Sequence, residues 1–257
     1  MFAVALVGSG LLVGVLGALL GVGGGIFLVP LLTLLFHLPM HIAVGTSLMG
    51  VIATSAGVAA AAPQGQGADV TLALRLEVVT AAGAIMGSLL AGWVTSQTLS
   101  ILFAGVVVLT AIYILFKDRY QVRRPKQEQM YQAYHPRRWS VGIMVSVLAG
   151  MISGLLGVGG GFIKVPIMYA VMEVPLGIAT ATSNFMVGIT AAASVFIYYG
   201  RGDIRPWVVI PITLGVFIGA ILGVYLLSYL RVAWLRRALI GLLLIMGVQM
   251  FLRGIGM

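Results

Sequence analysis

Eight apolar runs, separated by short polar stretches, divide this chain: about 3–36, 42–62, 70–94, 99–116, 140–172, 177–199, 207–230 and 235–252. Six of them have the length of single membrane-crossing helices. The first and fifth are too long. A straight helix through residues 3–36 would extend roughly 50 Å, against a hydrocarbon core of about 30 Å. Each long run is interrupted near its middle by the same stretch. Gly21-Val22-Gly23-Gly24-Gly25 is followed five residues later by Pro30, and Gly157-Val158-Gly159-Gly160-Gly161 by Pro166. Glycine and proline are the poorest helix formers, so the pattern predicts two shorter helices joined at each break. Within a bilayer, broken backbone is tolerated only where protein or a water-filled cavity surrounds it. Each break is therefore a candidate lining of a site.

The two breaks belong to an internal repeat. Adding 136 carries Gly14–Leu31 onto Gly150–Ile167 with ten identities in 18 positions. The same offset carries Pro39 to Pro175, Thr46-Ser47 to Thr182-Ser183 and Thr54 to Thr190. Beyond residue 63 the reading shifts, with Asp69-Val70 matched to Asp203-Ile204 and Gly83 and Gly87 to Gly215 and Gly219. The expected architecture is an all-α membrane protein of two homologous repeats, residues 1–116 and 140–257, joined by a loop at 117–139. Each repeat has a glycine-broken first segment, discontinuous or re-entrant, and three transmembrane helices. Duplications of this kind recur in secondary transporters, with the substrate site at the repeat interface.

Composition agrees: 61% of residues are hydrophobic, 8% are charged and mean hydropathy is +1.13. No charged residue precedes Asp69, and the apolar N-terminus lacks a basic leader, so it reads as a retained membrane segment. The net charge is +9, and seven of the 15 lysines and arginines fall in the 117–139 loop. In this setting the cluster reads as a cytoplasmic loop obeying the positive-inside rule and not as a nucleic-acid patch. The expected location is the cell membrane. If each glycine-rich run crosses once, the repeats are parallel; if it folds back, they are inverted. Either arrangement leaves 11 basic residues inside and three outside, so charge does not decide. Run length favours the hairpin and inverted repeats. Trp93, Trp139, Trp207 and Trp234 lie near segment ends, as an aromatic belt would place them.

Candidate chemistry gathers around the breaks. A helix restarting inside the membrane presents unpaired N–H groups and a partial positive charge, and glycine lets an anion approach. Gly23, Gly24 and Gly25 and their counterparts Gly159, Gly160 and Gly161 are the first candidates. Lys164, three residues past the second break, stands where the first repeat has Leu28. An ionisable residue at membrane depth is a functional candidate by default, although Glu173 offers it a structural partner. Thr46, Ser47, Thr182, Ser183 and Asn184 supply hydroxyls and an amide in the following helices. Gly83, Gly87, Gly215 and Gly219 fit tight helix packing better than a site. Glu77 reads as a partner for Arg75 at a helix end, and none of the six acids lies clearly at mid-membrane. That argues against a carboxylate proton relay or a dedicated sodium site, with Glu77 and Glu173 keeping the question open. No catalytic, cofactor or metal-binding motif is found, and cysteine is absent. An enzyme is not expected, nor a cofactor.

At these residues the chain resembles the TauE/SafE family of membrane proteins, the sulfite exporter family. The resemblance rests on the paired Gly-Val-Gly-Gly-Gly stretches, the downstream Val29-Pro30 and Val165-Pro166, and the Thr46-Ser47 and Thr182-Ser183 pairs. It implies a small sulfur oxyanion as substrate, sulfite or an organosulfonate such as sulfoacetate; the residues alone indicate only an anion. The expected function is export of that anion by alternating access at the repeat interface. A passive anion channel and a non-transporting membrane scaffold are the alternatives. The expected partners are the anion, the lipid bilayer and, in assembly, a second copy of the chain as a homodimer.

Overall fold

The computed structural model describes residues 2–20, 23–61, 68–120, 136–226 and 232–256, with side chains throughout these except 20, 113–120, 176 and 232–239. Gly21, Val22, Arg123, Arg124, Lys126 and Arg231, and the side chains of Lys117, Arg119, Trp234, Arg236 and Arg237, lie outside the described set. The described residues are helical, with no strand. The helices are α1 (Phe2–Leu20), α2 (Gly25–Pro30, prolonged by the π-helical turn Leu31–Leu35), α3 (Met40–Ala61), α4 (Val70–Ala91) and α5 (Ser96–Tyr120). After the loop come α6 (Trp139–Leu156), α7 (Gly161–Ala170), α8 (Leu176–Gly200), α9 (Pro206–Leu226) and α10 (Val232–Gly254). Among the described residues, six helices are long and apolar enough to cross a membrane: α1, α3, α4, α6, α8 and α9.

Both long apolar runs fold back on themselves. Gly24 and Gly160, the residues before α2 and α7, have φ of 75° and 72°, a left-handed conformation that favours glycine. The turn returns Gly24 to the side of α1, where a Cβ on Gly17 would stand 2.8 Å from its Cα. Gly160 lies likewise against the Ala149 carbonyl. At the mouth of the first hairpin, Phe2 and Phe36 pack edge to face with ring centres 5.6 Å apart. At the second, Arg137 N–H donates to the Met172 carbonyl at 3.1 Å and Arg137 pairs with Glu173. Each hairpin thus enters and leaves at one end, which accounts for the excess length of the two runs.

The helices then exchange across the chain. α1 packs along α9, and α6 along α4. Glycine permits both contacts, because a side chain at Gly83 or Gly87 would overlap the Val147 or Met151 carbonyl of α6. At the other contact, Gly219 meets the Leu11 carbonyl and Gly223 the Val15 carbonyl. These partners, Val147 with Leu11 and Met151 with Val15, differ by 136. The starts of α4 and α9, Val70 and Pro206, are also 136 apart. The contacts therefore match Gly83 and Gly87 to Gly219 and Gly223, one helical turn beyond the match expected from sequence. Gly215, Gly219 and Gly223 form a ladder of spacing four, so a slip of one turn still aligns glycine with glycine.

Two four-element groups result. One holds α1, α2, α3 and α9; the other holds α6, α7, α8 and α4. They meet where α3 crosses α8, and α5 and α10 pair with each other. Asp69 caps α4 by accepting from Leu72 N–H at 2.8 Å, and its own N–H donates to Thr182 Oγ1 at 3.0 Å.

Candidate functional site

The two glycine breaks meet at the centre of the molecule. A Cβ on Gly23 or on Gly159 would press on the same two side chains, Val51 of α3 and Val187 of α8. A Cβ on Gly25 would overlap the Gly157 carbonyl. Ser47 Oγ donates to that carbonyl at 2.8 Å, fastening α3 to the opposite break. Four of the positions expected from sequence, Gly23, Gly25, Ser47 and Gly159, thus surround one centre. α7 begins here, its earliest internal bonds running from Ile163 and Lys164 N–H to the Gly160 carbonyl.

The hydroxyl patch is closed off from solvent. Thr46, Ser47, Thr182 and Ser183 are each 0% exposed. Thr182 is held by the Asp69 N–H. The hydroxyls of Thr46, Ser153 and Ser183 have no hydrogen-bond partner among the described residues. For Ser183, the position answering to the acceptor of Ser47 is Gly21, outside the described set. Ser153 lies beside the second break, its Cβ 3.5 Å from where a Cβ on Gly160 would stand, whereas Gly45, next to Thr46, lies against Asp203 and Ile204. Asn184 engages Ser55 through its main-chain carbonyl, which accepts from Ser55 Oγ at 2.7 Å.

Lys164 is 3% exposed and bound to groups that sequence reasoning missed. Its Nζ lies 3.3 Å from Glu77 Oε2 of α4 and 2.7 Å from Thr190 Oγ1 of α8. Thr190 donates in turn to Glu77 Oε1 at 2.5 Å. The expectation that Glu77 pairs with Arg75 at a helix end is corrected here, and of the two acids that left the interior open, Glu77 is the one inside it. Glu77 is 3% exposed, eight residues into an apolar helix. Its supposed partner Arg75 lies two residues away, and such residues do not share a helix face. Arg75 instead sits 5.5 Å from the centre of the Trp139 ring. Glu173, the alternative partner for Lys164, is nine residues farther on and takes Arg137. The signal in the sequence was Glu77 itself, the only acid within the 70–94 run. A small cavity between α4, α6 and α7 adjoins the pair, lined in part by Leu76, Ser146, Ala149, Lys164 and Met168. The counterparts 136 residues away, Leu28, Thr54 and Thr213, carry no charge.

A second basic group is structural. Arg201 binds Asp203 at 2.8 Å and the Ser88 carbonyl at 2.7 Å, and stacks 4.2 Å from the centre of the buried Tyr198 ring. At the first hairpin mouth an open cleft is lined by Thr33, His37, Gln249 and Arg253, with Arg253 donating to the Thr33 carbonyl.

A multi-pass helical membrane protein with two interrupted hairpins meeting at a buried polar centre is the class that this fold and site define. The chain belongs to the TauE/SafE sulfite exporter family, whose model matches residues 6–250. A probable membrane transporter protein of Bacillus subtilis, YunE, is 26% identical over 268 residues, with 98% of each chain covered. A probable membrane transporter protein of Xylella fastidiosa is 32% identical over 205 residues, covering 79% of this chain and 76% of its own. The Sulfite exporter TauE/SafE family protein 3 of Arabidopsis thaliana is 40% identical over 53 residues, 21% of this chain and 11% of its own. No solved structure shows a significant match.

Proposed function

We propose that this family member exports a small sulfur oxyanion, sulfite or an organosulfonate such as sulfoacetate, by alternating access at the meeting point of the two breaks. The observation that carries the reading is the convergence of Gly23, Gly25, Gly157 and Gly159 beside the buried side chains of Ser47 and Ser153. Gly23–Gly25 and Gly159–Gly161 offer backbone donors without intervening side chains. Thr46, Ser47, Thr182, Ser183 and Asn184 add neutral hydrogen-bonding groups, which hold an oxyanion while allowing release. Lys164, one turn beyond the second break, is balanced by Glu77 and holds α7 against α4 and α8 beside the site. An inside-negative potential favours anion exit by about 2.3 kcal/mol per charge per 100 mV.

The halves act as inverted repeats in this reading. Each hairpin returns to its own side, leaving three crossings per half, and an odd number turns the second half over. The 117–139 loop faces the cytoplasm at the cell membrane. The moving bodies are not the sequence halves, because α4 and α9 are exchanged between them. α1–α3 with α9 rock against α6–α8 with α4 across the α3–α8 contact. The site is complete within one chain, so a homodimer is not required for it. No reaction is assigned to the chain; the groups at the centre bind and release. Complete burial of the hydroxyls favours a carrier over an open channel. The test is flux from proteoliposomes loaded with sulfite, sulfoacetate, sulfate or chloride. Sulfite or sulfoacetate is expected to leave fastest; movement of none of the four, beyond empty liposomes, would defeat the proposal.

A further inference from the structure

The oxyanion site just described makes no use of Glu77. Yet this carboxylate is buried deep in an apolar helix, and intramembrane carboxylates are costly and functional. Its surroundings are specific. Glu77 Oε1 and Oε2, Thr190 Oγ1 and, 3.0 Å from that hydroxyl, the Met186 carbonyl present oxygens from α4 and α8. A carboxylate and a hydroxyl drawn together at membrane depth are oxygen ligands suited to a small monovalent cation, while the Met186 carbonyl is Thr190's own helix acceptor. The Lys164 ammonium stands at this point, 2.7 Å from Thr190 Oγ1 and 3.3 Å from Glu77 Oε2. It is the only buried ion pair among the described residues. In the other half the counterparts are Leu28, Thr54 and Thr213, and Leu28 instead packs against Gly50. The described residues therefore hold one such arrangement.

We infer that Lys164 is a resident cation. Its ammonium fills a carboxylate–hydroxyl site that otherwise takes a sodium-sized ion, so the protein moves its anion without a co-transported metal cation. An ion that binds and leaves in each cycle can couple its own gradient to transport. A tethered ammonium cannot leave, and the Lys164–Glu77 pair moves as a neutral unit. The charge crossing the membrane in each cycle is then that of the substrate alone. The pair also fastens α4 to α7 and α8, keeping the exchanged helix with its body.

The inference rests on the transport reading only in its flux arm; its thermal arm uses no substrate. In the thermal arm, purified protein is unfolded in sodium chloride and in N-methylglucamine chloride of equal ionic strength. The wild type is expected to unfold at the same temperature in both. Lys164→Ala opens the cation position, and its unfolding temperature is expected to rise in sodium by about 5 °C, as for a ligand bound only by the folded state. Lys164→Ala with Glu77→Gln should lose that response. A sodium response in the wild type, or none in folded Lys164→Ala, would overturn the inference. Should Lys164→Ala not fold, the flux arm decides: wild-type sulfite efflux should keep its rate when N-methylglucamine replaces sodium and potassium on both sides. A fall of roughly tenfold or more, the rate expected when a required ion is withdrawn far below its dissociation constant, would overturn it. Absence of sulfite flux in every salt would count against the transport reading and leave the thermal arm to judge the cation.

Discussion

Lys164 and Glu77 are each nearly inaccessible to solvent, so neither charge is balanced by water. Removing one partner strands the other. Lys164→Met is expected to cost about 3–5 kcal/mol of stability, whereas Lys164→Met with Glu77→Gln should recover most of that loss. Unfolding of both variants in detergent checks it, and equal stability of the single variant and the wild type would contradict the pairing. Half of this pair was legible in the sequence. Lys164 stood out as a charge inside an apolar run, where its counterpart was Leu28. Glu77 is harder to place from sequence, because Arg75 lies close along the chain although on another face of the helix. At two residues' separation the side chains point to different faces. Its real partners lie 87 and 113 positions away, a separation no local pattern reveals.

The elements themselves were easier to read. Run length alone indicated the folded-back hairpins, and the closures Phe2 to Phe36 and Arg137 to Met172 agree with it. What the sequence did not disclose was the exchange of α4 and α9. Gly83 and Gly87 announced close helix packing, but not that the partner helix is α6. Substitution at this contact should separate the helices: Gly87→Val would drive a methyl into the Met151 carbonyl. We expect an unfolding temperature lowered by several degrees, while Gly8→Val, which meets nothing within 4 Å, leaves it unchanged. Similar losses at both positions would contradict the packing role. At the breaks, Gly160→Ala retains its backbone only at a left-handed φ of 72°, a strain of about 1–2 kcal/mol. Gly25→Ala should be more damaging, since its methyl would overlap the Gly157 carbonyl at the centre; comparing the stability of the two variants ranks them.

In the proposed cycle, the exchanged helices set which parts of the molecule would move together. The chain has no cysteine, so disulfides can be introduced one at a time into a clean background. Ser55→Cys with Gly188→Cys would join α3 to α8 across the two bodies, where a Cβ on Gly188 meets the Ser55 side chain. Gly57→Cys with Ala220→Cys would join α3 to α9 inside one body. The first link should stop transport until reduced, and the second should leave it largely intact. Arrest by the inner link alone would reassign the moving parts. If a carrier for a sulfur oxyanion works at the paired breaks, sulfite counterflow should reveal it. Proteoliposomes loaded with unlabelled sulfite should take up external labelled sulfite faster than unloaded ones, with saturation, and Thr46→Val should weaken that saturation. Uptake that ignores internal sulfite and rises linearly with concentration would contradict a carrier and place a passive pore in its stead.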